Sequence, residues 1–196
     1  MYDFNRIKME NYEETWDILD RAHHIFNEEA DSDCLGFCYF NPNPRGAITG
    51  DCVKRAIVVA ANIDYKELEL MMNRNKVNKK EAYNHQPNYE HVIDLLGGKK
   101  IKMSVPAGMN RWHLTTINRV MHDYPHISYV LQVSKHLVGV RDETIFDLYD
   151  DRLRDKGIYK MFVFGATDEE IEKIQAICSQ GVKRRFCLWF LKLFDI

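Results

Sequence analysis

No apolar run in this chain approaches the roughly 18 consecutive residues that a membrane-spanning helix needs. The first residues, MYDFNRIKMENYEE, are polar and acidic and lack the apolar stretch of a secretory signal. Proline (5) and glycine (10) are scarce among the 196 residues, too few for a fibrous or disordered chain. An excess of positive charge is missing as well. Lys and Arg number 27 against 29 Asp and Glu, a formal net charge of -2, so no chain-wide basic surface is on offer to a nucleic-acid backbone. The expectation is a cytoplasmic protein without membrane or nucleic-acid partners. What is present is an apolar content of 45% and a charged content of 29%, the balance of an ordinary globular domain. The five cysteines (Cys34, Cys38, Cys52, Cys178 and Cys187) are odd in number, so at least one thiol stays unpaired, which suits a reducing compartment.

Periodicity divides the chain into elements. Asn11-Tyr-Glu-Glu14 has the spacing of a capping box, and Trp16, Leu19, Ala22, Ile25 and Phe26 recur behind it, predicting a helix over about 11–29. LGFCYF (35–40) reads as a strand, and Asn41-Pro-Asn-Pro44 as a turn, because residues before proline avoid the helical region. Thr49-Gly-Asp51 opens a helix whose apolar face is Val53, Ala56, Ile57 and Ala60. Asp64-Tyr-Lys-Glu67 caps the next, ahead of Leu68, Met71 and Met72. Polar residues 73–87 form a loop, and Asn88 is the expected cap of a helix ended by Gly97-Gly98.

The second half changes period. After a helix at about 113–123 come HISYVLQV, KHLVGV and TIFDLYD, β-branched and aromatic runs of strand length. Arg141-Asp-Glu143 joins the last two as an antiparallel hairpin. YKMFVFG (159–165) is a further strand, and Thr167-Asp-Glu-Glu170 caps a helix carrying Ile171, Ile174 and Ile177, with Gly181 as its stop. The tail RRFCLWFLKLFDI is apolar enough to require docking on the domain or on a partner. Helices first and strands afterwards define an α+β protein.

The chemistry centres on Cys52. It lies in the first turn of a predicted helix, after Gly50, where unpaired N–H groups and the positive end of the helix dipole favour a thiolate. Lys54 and Arg55 add positive charge. The alternative is a small buried side chain, the usual fate of a free cysteine. His136 opens a strand whose hairpin partner carries Asp147 and Asp150, so a carboxylate can hold its imidazole in one tautomer for general-base work. Alone it reads as a strand histidine; with Cys52 the order thiol, histidine, acid is that of papain-like enzymes.

TGDCVKRAIVVA (49–60) with the following DYKEL resembles the opening of a family of small phage-encoded papain-like cysteine peptidases. SKHLVGV, a turn and IFDLYD (134–150) resemble that family's histidine–acid hairpin, and the Cys…His…Asp order is similar to that of the bacteriocin-processing peptidase domains. The resemblance covers about a third of the chain. It implies Cys52 as nucleophile, His136 as base and Asp147 as orienting acid, with Asp150 in reserve. It also implies a papain-like fold, N-terminal helices packed on an antiparallel sheet; residues 1–155 are expected to form that domain, and residues 156–196, which like the N-terminal helix have no counterpart in the family, a strand–helix extension packed on it. An oxyanion hole is needed too. The Cys52 N–H is one donor; no glutamine precedes Cys52 near it, and Asn41 and Asn43 are the amides at hand, or plain turn residues.

Elsewhere the signals are weak. Cys34 and Cys38 with His23 and His24 have poor zinc spacing, and core packing is the simpler reading, so no metal and no cofactor is expected. His85, His91, His113, His122 and His126 stand outside any metal motif. Lys183-Arg184-Arg185 reads as a solvated face. There is no Walker loop and no G-x-G-x-x-G. Two functions remain open: a thiol peptidase, isopeptidase or amidase acting on a protein or peptide, in the host cytoplasm if phage-encoded, or a catalytically silent fold of the same kind that binds and inhibits a host protein.

Overall fold

A computed structural model describes residues 35–103, 114–149 and 157–180. The helix expected at 11–29, the tail after 180, Cys34, Cys187, His23, His24, His113 and Asp150 lie outside the described residues. Those residues form a mixed α+β fold of five helices and one six-stranded sheet. In chain order they are β1 (Gly36–Tyr39), α1 (Cys52–Ala61), α2 (Tyr65–Arg74), α3 (Gln86–Leu95), β2 (Lys99–Ile101), α4 (Leu114–Asp123), β3 (Ser128–Val133), β4 (His136–Arg141), β5 (Thr144–Asp147), β6 (Ile158–Phe164) and α5 (Asp168–Gln180).

The sheet order is β1-β5-β4-β3-β6-β2. It is mixed where an antiparallel sheet was expected, because β1 pairs in parallel with β5, Tyr39 opposite Asp147. Helices also cover both faces. Residues of α1, α2 and α3 share one core with Val130, Leu137, Phe146, Phe162 and Phe164. Ile117, Val120 and Met121 of α4 and Ile174 and Cys178 of α5 share the other with Tyr129, Leu131, Val138, Val140 and Val163. Strands buried on both sides must be apolar at successive positions, which is why β3, β4 and β6 read as near-continuous apolar runs.

The same burial explains β6. The sequence reading put it in an extension packed on a finished domain. It instead lies inside the sheet, antiparallel to β3 on one side and to the short edge strand β2 on the other. An apolar strand with two apolar faces and two unsatisfied edges finds all its partners only in the interior of a sheet.

Local chemistry sets the boundaries. Asp142 and Glu143 both have positive φ (46° and 56°), which closes β4 and β5 with a two-residue turn whose twist matches the strands. Asp64 accepts hydrogen bonds from the N–H groups of Lys66 (2.8 Å) and Glu67 (3.0 Å), the cap expected for α2. Thr167 and Glu170 cap α5 reciprocally: the Thr167 N–H donates to the Glu170 carboxylate at 2.8 Å and the Glu170 N–H to the Thr167 hydroxyl at 3.3 Å. Asn88 is not the cap of α3. The helix starts two residues earlier, where Pro87 in the first turn loses nothing by lacking an N–H. Asn88 is buried, and its amide instead donates to the carbonyls of Asn78 (3.1 Å) and Ala82 (2.9 Å), pinning the preceding loop.

One close approach positions the site. Gly139 in β4 faces α1, and a Cβ there would come within 2.7 Å of the Val59 Cβ and 2.9 Å of the Ala56 carbonyl oxygen. The helix that begins at Cys52 therefore lies directly on the strand that begins at His136.

Candidate active site

Cys52 is the first residue of α1 and is half-buried. The first intrahelical bond runs from the Arg55 N–H to the Asp51 carbonyl (3.1 Å), so the Cys52 N–H precedes the helical ladder and is one of its uncommitted donors. Asp51 does not cap the helix with its side chain. Its buried carboxylate accepts from the Tyr65 hydroxyl (2.8 Å) and from the Asn43 amide (3.0 Å), which binds the approach to the helix start to α2 and to the 41–50 loop. Tyr83 closes the other side, its hydroxyl donating to the Gly50 carbonyl at 2.8 Å. Gly50 has φ +71°, a conformation that a side chain would oppose just ahead of Cys52.

His136 reaches this helix start from the end of β4. Its Nε2 lies 2.5 Å from Oδ2 of Asp147, the last residue of β5. The second carboxylate oxygen accepts the Leu148 N–H at 2.8 Å, so both oxygens of this buried acid are engaged. With Nε2 taken by Asp147, Nδ1 is the ring nitrogen left for sulfur, and Cys52 and His136 are close enough that each shifts the other's protonation. The Leu137 backbone acts on the sulfur in the same sense, favouring the thiolate.

The electrostatics follow. Burial pushes the Cys52 thiol up, but the hydrogen bonds from His136 and Leu137 and the charges of His136 and Arg55 outweigh it and leave the thiol below its ordinary value of 9.0. The Asp147 hydrogen bond, then that of Cys52, lift His136 from 6.5 to about 9 against the opposing effect of burial. A thiol moved down beside an imidazole moved up is the condition for a thiolate–imidazolium pair near neutral pH. The other described cysteines differ: burial alone raises Cys38 and Cys178 to about 11.

The structure thus brings Cys52, His136 and Asp147 together. Asn41 and Asn43 are drawn into their own loop. The Asn41 amide donates to the Ala47 carbonyl (3.3 Å) and its oxygen accepts the Asn43 N–H (3.2 Å), while the Asn43 amide is held by Asp51. Lys54 and Arg55, alike in sequence, part company. Lys54 is buried with its ammonium 2.6 Å from Glu69 and over the Tyr83 ring (4.4 Å to the centroid). Arg55 is buried 4.0 Å from Asp51, and its charge is among those that favour the Cys52 thiolate. Leu137, Tyr83 and Tyr65 were not singled out by sequence: a backbone N–H leaves no residue signature, and tyrosines in polar stretches are common.

Two of the remaining histidines have carboxylate partners: His122 Nδ1 lies 2.5 Å from Glu143, and His126 Nε2 lies 2.9 Å from Glu170. Among the described residues no group of three or more His, Cys, Asp or Glu is arranged to hold a metal ion, and no helix is long and apolar enough to cross a membrane. Compared with known proteins, the chain matches no family model, and no curated protein or solved structure is significantly similar to it.

Proposed function

We propose that this protein is a papain-like thiol enzyme, a peptidase, isopeptidase or amidase, with Cys52 as nucleophile, His136 as acid and base, and Asp147 as the group that orients His136. What carries the reading is a cysteine at a helix start coupled to a histidine that is itself held by a buried carboxylate, with the two protonation equilibria displaced in opposite directions. The thiolate attacks a carbonyl carbon; the C–S bond forms and the carbonyl π pair moves to oxygen, opposite the Cys52 N–H. The intermediate collapses as the C–N bond breaks, and the His136 imidazolium passes its proton to the departing amine. Water, deprotonated by the neutral imidazole, then releases the acyl group and restores the thiol. The substrate class is a protein or peptide, and the phage family resembled in sequence makes a host protein a natural target.

A second reading, a silent fold of this kind that binds and inhibits a host protein, draws support from the two asparagine amides, both engaged within the 41–51 loop. Iodoacetamide near pH 6.5 followed by peptide mapping separates the readings. The enzyme reading requires Cys52 to be alkylated faster than an unfolded peptide thiol at this pH, as well as ahead of Cys38 and Cys178, which burial raises to about 11. Alkylation of Cys52 at the pace of an ordinary thiol would leave the binding module.

A further inference from the structure

Arg55 is an anomaly in the fold. It is 3% exposed, yet its Nε and Nη1 find no hydrogen-bond acceptor among the described residues. The nearest carboxylate oxygen, Oδ2 of Asp51, is 4.0 Å from Nη1, beyond hydrogen-bond range, and already accepts from Asn43. The other oxygen of Asp51 is held by Tyr65. Burying a cation with unmatched donors destabilises a protein, and apolar replacements of such groups are commonly neutral or stabilising. The arrangement calls for an anion that gains from it.

Helix geometry identifies that anion. Residues three apart on a helix are neighbours, and side chains lean toward the helix N-terminus over the preceding turn. The turn preceding Arg55 is the one that starts at Asp51 and Cys52. We propose that Arg55 is a positioning residue for the reaction, its buried guanidinium holding the Cys52 sulfur as a thiolate from the helix side while His136 holds it from the strand side. The proposal rests on the reading of Cys52 as the nucleophile.

The remaining charged and titratable groups around the helix start are accounted for. Asp51 accepts from Tyr65 and Asn43 and stands 3.9 Å from the Lys54 ammonium and 4.0 Å from the Arg55 guanidinium; Lys54 is bound to Glu69 of α2. Tyr83 from the loop and Tyr89 from α3 both have raised hydroxyl values, burial first among the causes and the Cys52 charge a further one. His136 and Asp147 are paired across β4 and β5. Arg55 is the cation of this group whose donors are left over.

The test follows iodoacetamide alkylation of Cys52 from pH 5 to 10 in the full chain, alongside thermal unfolding, for wild type, Arg55→Met and Arg55→Lys. Arg55→Met should move the midpoint of the rate profile up by about one pH unit, making alkylation roughly tenfold slower below the midpoint. The high-pH plateau should be equal or slightly faster, since a more basic thiolate is the better nucleophile. The melting temperature should hold or rise, as it does when a residue kept for function at the expense of stability is removed. Arg55→Lys should fall between the two. An unchanged profile for Arg55→Met overturns the proposal, and so does a lowered melting temperature with the profile intact, the signature of a purely structural role. Should Arg55→Met not fold, Arg55→Gln carries the same comparison. A wild-type Cys52 no more reactive at low pH than an unfolded peptide thiol sinks the thiol-enzyme reading itself, whereas a reactive wild type with an indifferent Arg55→Met sinks the Arg55 proposal alone.

Discussion

His136 and Asp147 lie on neighbouring antiparallel strands, set diagonally rather than opposite one another. The register pairs Gly139 with Phe146, so Asp147 is one step past that pair and His136 three steps before it. The 2.5 Å contact between Nε2 and Oδ2 spans that diagonal.

Replacing Asp147 by Asn should therefore leave the fold in place and remove the function. The amide oxygen can still accept the Leu148 N–H, but the hydrogen bond to a carboxylate that chiefly raises His136 is gone, together with the charge behind it, and the tautomer is no longer dictated. A loss of about 10³–10⁴-fold in turnover is expected, by analogy with other triads. A steady-state assay on a peptide substrate, with circular dichroism to verify folding, measures it.

The pH profile of kcat/KM should be bell-shaped. The acid limb reports Cys52 and lies below the ordinary thiol value; the alkaline limb reports loss of the imidazolium near pH 9. Alkylation by iodoacetamide needs the thiolate but no proton donor, so it should keep the acid limb and lack the alkaline one. An alkaline fall shared by both reactions would contradict the role given to His136.

Stability has its own pH signature. A histidine raised from 6.5 to about 9 contributes stability that is complete below pH 6.5 and is lost as pH rises through 9. A lowered thiol works in the opposite sense, contributing above its ordinary value of 9.0 and losing that contribution as pH falls. In wild type the two oppose each other where their windows overlap. In Cys52→Ala the thiol's share disappears while His136 keeps the part of its rise that Asp147 supplies, so urea midpoints should decline more steeply as pH rises above 6.5 than they do in wild type.

Gly139→Ala should be costly on two counts. The new methyl meets the Val59 Cβ and the Ala56 carbonyl, and the latter belongs to helix backbone that cannot rotate away. Overpacking of this kind costs about 1–3 kcal/mol. Because the displaced helix carries Cys52, its selective alkylation should weaken together with the urea midpoint.

Thr167→Ala provides the contrast. It removes half of a reciprocal cap on α5 and should cost about 0.5–2 kcal/mol. That helix packs on the sheet face opposite α1, so Cys52 alkylation in the folded protein should be unaltered.

Local chemistry made much of this fold legible. Asp64 and Thr167 announce helix starts because a side-chain acceptor two or three residues ahead of free N–H groups is a local event. The β4–β5 turn is equally local, and so is the placement of Cys52 at the head of a helix. Asn88 misled because cap-forming and loop-pinning asparagines share one chemistry, and the loop it pins is ten residues away.

What the amino-acid sequence by itself determined was therefore most of the described elements (though not the three-residue edge strand β2), the free thiol at a helix start, and the order thiol, histidine, acid. Tertiary structure alone decided where β6 and β1 enter the sheet, since pairing partners are chosen by the burial of two faces and two edges together. It also decided which of two adjacent cations serves the sulfur. Lys54 found Glu69 from the neighbouring helix and Arg55 found no matching acceptor among the described residues, a distinction set by what packs around α1 rather than by residue type.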